Sequence, residues 1–69
     1  MKYGARNQLI GKVESIKKGA VMCEVKVKTA GGDLMESVMT MNSLKELGIK
    51  KGDKVKIVVK AVNVLLVKE

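Results

Sequence analysis

The chain has 69 residues and a formal charge of +7, with thirteen lysines, one arginine and no histidine. It has no Phe, Trp or Pro, Tyr3 is the lone aromatic, and Cys23 is the lone cysteine. This composition excludes an internal disulfide, a histidine-based zinc centre, an aromatic core and general acid–base chemistry that depends on imidazole.

One domain of this size, spanning residues 1–69, buries only about 60% of its unfolded surface and is marginal alone. With neither disulfide nor metal to staple it, oligomerisation is the remaining source of stability. The excess positive charge favours an anionic partner, although lysines interleaved with acids are ordinarily a solvated face. There is no apolar run near 18–20 residues and no charged-then-apolar leader, so a cytoplasmic protein with a reduced thiol is expected.

In chain order, Met1–Ala5 reads as an extended arm. From Asn7 to Ile16 apolar and polar residues alternate, with Leu9, Gly11 and Val13 against Lys12 and Glu14, which predicts a strand. Lys17-Lys18-Gly19 predicts a turn. Ala20–Thr29 is the clearest strand, with Val21, Cys23, Val25 and Val27 on one face and Met22, Glu24, Lys26 and Lys28 on the other. Cys23 is therefore expected to be a buried structural thiol. Ala30-Gly31-Gly32-Asp33 predicts a hairpin turn rather than a phosphate loop, because no strand-to-helix glycine fingerprint surrounds it.

Leu34–Met41 predicts a third strand, with Met35, Ser37, Met39 and Met41 on one side. Strand alternation explains that methionine spacing without a soft metal. Asn42–Leu47 predicts a short helix, with Ser43 and Glu46 as a capping box and Gly48 as its stop. After a turn at Lys50–Asp53, Lys54–Lys60 alternates as a fourth strand. Ala61–Val67 is apolar on both faces, and a strand of that kind must be covered on both. A monomer of this length has no second layer to spare, so another subunit is expected to cover it. The expected fold is all-β: a small five-stranded, partly closed Greek-key barrel of the OB type with one short helix.

Two stretches stand out chemically. Arg6 holds the chain's only guanidinium, a planar fork suited to two-point contact with an oxyanion, beside the Asn7 amide and the uncrowded backbone of Gly4 and Ala5. Near the other end, Lys60-Ala61-Val62-Asn63-Val64 carries a second cation. Gly4-Ala5-Arg6-Asn7-Gln8-Leu9 followed by Gly11-Lys12-Val13 resembles the Ser-Ala-Arg-Asn-Gln-Leu-x-Gly-x-Val opening of the molbindins, small molybdate-binding proteins of the Mop-like or TOBE domain class. The resemblance runs on through Lys17–Val21, Gly31-Gly32, Thr40, Ser43 and Glu46–Gly52 to Lys60-Ala61 and Val64, covering the whole chain in register.

The resemblance implies a cytoplasmic store or buffer of molybdate or tungstate, assembled as a homohexamer (a trimer of dimers) with anion sites between subunits. Carried over by position, the oxyanion-binding set falls on Gly4, Ala5, Arg6, Asn7, Thr40, Ser43, Lys60, Ala61 and Val62. The residue types agree independently. A tetrahedral dianion has only acceptor oxygens and needs donors alone, and neither end stretch contains an acid. The two departures are Gly4 and Val62, each standing where the family usually carries a serine hydroxyl. Because the two stretches lie at opposite ends of the chain, a subunit interface is expected to bring them together.

Other classes fit less well. No Ser or Cys stands beside a base and no close carboxylate pair exists, so an enzyme is not expected. Single-strand nucleic-acid binders stack bases on aromatic side chains, and Tyr3 alone is a poor platform. The alternative is an oligomeric scaffold or interaction module that kept the fold with a weakened or lost anion site.

Overall fold

The computed structural model describes residues 7–68. They form one antiparallel sheet of four strands, β1 (Asn7–Lys18), β2 (Met22–Thr29), β3 (Leu34–Thr40) and β4 (Lys54–Val59), in the order β3-β2-β1-β4. A short helix, α1 (Met41–Leu47), joins β3 to the turn before β4, and a single 3-10 turn, Ala61–Asn63, follows β4. The architecture is the expected all-β, OB-like one with a short helix, built as a half-barrel.

The long first strand is the pivot. Its N-terminal half, Asn7–Lys12, pairs with β4, and its C-terminal part, Gly11–Lys18, pairs with β2. Only Gly11 and Lys12 are paired on both sides. A Cβ at position 11 would lie 2.5 Å from Val27 Cγ1 and 3.0 Å from the Lys28 carbonyl oxygen. The glycine is what lets β2 and β4 both lie against β1 at that crossing. Just beyond it the β1–β2 register slips between Val13 and Ser15, leaving Glu14 as the extra residue of a bulge. Val13 and Ile16, three residues apart, can then both face inward, which simple alternation across this strand does not anticipate.

Inward-facing Val13, Cys23, Val25 and Val27 form the core with Leu44 from α1, and Ile16, Met39, Met41, Ile49, Val55 and Ile57 pack around them. The buried thiol of Cys23 is among them, as expected. Leu44 is the one helical residue that is fully buried, so α1 plugs one end of the curled sheet.

The helix begins differently from the sequence reading. Thr40, not Ser43, is the N-cap: its hydroxyl accepts the Ser43 N–H at 3.0 Å. Thr40 ends β3 with an extended backbone, so its side chain can fold over the first turn, while Ser43 already lies inside the helix. Gly48 closes the helix in the left-handed region (φ 65°), its N–H shared between the Leu44 and Lys45 carbonyls.

The expected fifth strand is absent from the sheet of this chain. After the 3-10 turn, residues 64–68 join no ladder, and Leu65, Leu66 and Val67 are each almost fully exposed. The physical reason is the one that flagged the segment: apolar on both faces, it needs a layer on each side, and a single chain offers neither. Strands β3 and β4 remain open edges of the half-barrel. The chain exposes 5884 Å², against about 4,200 Å² for a compact monomer of its mass.

Candidate functional site

The expectation that a neighbouring subunit is needed to join the two ends of the chain is corrected by the β1–β4 ladder. Asn7 stands opposite Val59, and the Asn7 side-chain amide donates to the Val59 carbonyl oxygen at 3.4 Å. Lys60 follows at once, extended and exposed, and the chain then turns through Ala61–Asn63, with the Asn63 N–H donating to the Lys60 carbonyl at 2.9 Å. The amide of Asn7 and the ammonium-bearing residue of the closing stretch therefore share one corner of a single chain. Gly4, Ala5 and Arg6 lie outside the described residues.

That corner opens into a depression of about 540 Å³ lined by Asn7, Gln8, Leu9, Met35, Val59, Asn63 and Val64. Among the described residues no acid lines it and no carboxylate lies within 4.0 Å of Lys60. The N–H groups of Ala61 and Val62 donate to no carbonyl among the described residues. The tight turn that raises them leaves its first donors unpaired by its own backbone. Val62 is 85% exposed and presents only methyl groups at the position where a hydroxyl was expected. Asn63, a second amide donor in the same wall, was not singled out from the sequence. Its signal in the sequence is its place inside the Lys60–Val64 stretch.

The hydroxyl pair lies elsewhere. Thr40 stands opposite Met22, at the end of the sheet where β1 finishes with Lys18 opposite Cys23. Thr40 Oγ1 lies 2.9 Å from Ser43 Oγ, to which it donates, while it accepts the Ser43 N–H. Asn7 is at the opposite end of the 12-residue β1, where it pairs with Val59. One chain thus divides the candidate donors into two sets, Asn7, Lys60, Ala61 and Val62 at one end and Thr40 with Ser43 at the other.

The chemistry available at both ends is donation to an anion. Cys23 is buried, and the Ser43 hydroxyl is paired with a threonine, not a base. Among the described residues no three His, Cys, Asp or Glu side chains gather to hold a metal ion.

A family model, the TOBE domain, matches residues 4–66. The chain belongs to the TOBE domain family. The molbindin resemblance carried by its opening and closing motifs is thus a true relationship. Molybdenum-pterin-binding protein 2 of Clostridium pasteurianum is 44% identical over 66 residues, covering 96% of this TOBE chain and 97% of that relative. Among solved structures, a molybdate-binding protein from Sporomusa ovata superposes with a TM-score of 0.92 at 34% identity, covering 99% of this chain and all of that one. The cytoplasmic molybdate-binding protein ModG, solved with molybdate bound, matches at a TM-score of 0.83 and 43% identity over 88% of this chain and 43% of its own. The names of these TOBE relatives describe binding proteins, not enzymes.

Proposed function

We propose that this protein binds molybdate or tungstate as an intact oxyanion, without catalysis, at the interfaces of a homo-oligomer, and stores or buffers it in the cytoplasm. The whole chain, residues 1–69, acts as one TOBE unit. The observation that carries the reading is the division of donors between the two ends of β1. A tetrahedral anion met by all of them needs the Asn7–Lys60 corner of one copy against the Thr40–Ser43 corner of another. The molybdate-binding names of the relatives support the ligand. The unpartnered edges and the exposed segment 62–67 support assembly, for which the hexamer of the molbindins is the expected form.

At that interface Arg6 supplies the two-point fork and Lys60 the point charge, with amide and backbone donors from Asn7, Ala5, Ala61 and Gly4 and hydroxyls from Thr40 and Ser43. Arg6 directly precedes Asn7 in the sequence. Closing the interface removes water and strengthens each of these bonds.

A second reading, a TOBE scaffold with a weakened site, is favoured by one observation: Val62 offers no hydroxyl at the turn. Calorimetry with molybdate, tungstate and sulfate separates the two. Heat released with molybdate and lost in Arg6→Ala is the expected result. Absence of binding by every tetrahedral anion at millimolar concentration leaves only the scaffold.

A further inference from the structure

The face of the sheet turned away from the core carries a feature that the proposed oxyanion site does not use. Lys12 stands opposite Lys28 across the β1–β2 ladder and opposite Lys54 across the β1–β4 ladder. Residues directly opposite in antiparallel strands present their side chains to the same face. Three lysines therefore form one row across three adjacent strands, all exposed, while their neighbours Val13, Val27 and Val55 turn to the core side. Adjacent strands are about 4.8 Å apart, so the row is only about 10 Å long at its base. Like charges directly opposite in a sheet are destabilising, and a row of three has two such pairs.

Among the described residues no carboxylate forms an ion pair with them. Lys26, one step along the same face, reaches Glu36 at 3.8 Å, but no carboxylate lies within 4.0 Å of Lys12, Lys28 or Lys54 among the described residues. Glu36 faces Lys26, Glu24 faces Val38 and Lys17 across the ladders, and Glu14 sits in the bulge. At the turns, the Asp53 carboxylate accepts the Lys50 N–H at 2.9 Å, and the Asp33 N–H donates to the Thr29 hydroxyl. Beside the row is a depression of about 360 Å³ lined by Ile10, Gly11, Lys12, Ala30, Gly52 and Lys54. Two of its walls are glycine backbone.

We propose that this row is a binding site for a linear chain of phosphates, as found in inorganic polyphosphate or in the tail of a nucleoside triphosphate. The charge and its spacing select the class. Ammonium groups are rotatable point charges that suit a flexible run of phosphates, whereas a single planar anion is better met by a guanidinium fork. Among the described residues the face has neither arginine nor an aromatic ring for stacking, which leaves a nucleobase no platform there. A phosphate chain laid across the strands brings several negative charges along the length of the row, where a single tetrahedral anion brings its charge to one point.

Calorimetry on the full chain with tripolyphosphate, ATP, orthophosphate and a duplex DNA of arbitrary sequence tests this. Tripolyphosphate is expected to bind far more tightly than orthophosphate, and to weaken with added salt. The triple variant Lys12→Gln, Lys28→Gln, Lys54→Gln is expected to lose about ten-fold or more in affinity while binding molybdate as before. A control of equal charge loss, Lys50→Gln, Lys51→Gln, Lys68→Gln, is expected to keep it. Thermal melting checks the fold, and the row variant is expected to melt no lower than the parent because two like-charge pairs are gone. Equal binding of ATP and tripolyphosphate assigns recognition to the phosphate chain alone, and much tighter binding of ATP, which needs contact with the base or ribose, would overturn it. Equal loss in the control, tight DNA binding without tripolyphosphate binding, or no binding of tripolyphosphate would each overturn the site.

Discussion

Asn7 and Val59, 52 residues apart in sequence, face each other at the end of the β1–β4 ladder, joined by an amide-to-carbonyl hydrogen bond of 3.4 Å. This pairing places an amide donor next to Lys60. Asn7→Asp keeps the size of the side chain and replaces the donor with a carboxylate that repels a dianion. Molybdate affinity is expected to fall by about 100-fold or more, since a lost charge-assisted bond alone is worth about 1.5–3 kcal/mol. Calorimetry reads the loss, and circular dichroism reads the intact sheet.

The valine at the turn offers a gain-of-function test. Val62→Ser restores a hydroxyl where the molbindins usually carry one, at a residue 85% exposed. Surface changes of this kind shift stability by about 0.5 kcal/mol or less. Molybdate is expected to bind about ten-fold more tightly, one hydrogen bond's worth. An unchanged dissociation constant would mean that position 62 does not face the anion.

Thr40 caps the helix and belongs to the proposed site. Thr40→Val removes the acceptor of the Ser43 N–H and the partner of its hydroxyl. Loss of such a cap costs about 1 kcal/mol. The expected outcome is a lower denaturation midpoint together with weaker molybdate binding, read by urea melts and calorimetry on the same variant. Ser43→Ala retains the cap and is expected to weaken binding alone.

Assembly is tested at the exposed end. Leu65→Glu puts a charge into an apolar segment with no cover in its own chain. The parent is expected to run well above 7.5 kDa by light scattering, and the variant to run smaller and lose molybdate binding with it. A parent that runs as a monomer would remove the interface from the proposal.

Gly11 is the tightest point of the fold. Gly11→Ala drives a methyl to within 2.5 Å of Val27 Cγ1 and 3.0 Å of a backbone oxygen. Overpacking of this kind costs about 1–3 kcal/mol, a large share of a small domain's stability, and a lower thermal midpoint is expected.

Much of this protein is local and could be read along the chain. The alternation of Cys23, Val25 and Val27 with Glu24, Lys26 and Lys28 specifies β2 because a period of two has one buried solution. The Gly48 stop, the glycine turns and the donor-only character of the two end stretches are likewise properties of short segments. What only tertiary structure decided is which segments meet. The bulge at Glu14, the double pairing at Gly11 and the union of Asn7 with Val59 depend on partners up to 52 residues away. The cap at Thr40 depends on where β3 stops, which its pairing with Met22 sets. The apolar run 61–67 marks the limit of reading from pattern: hydrophobicity says that a segment must be covered, but which surface covers it is a fact of three dimensions.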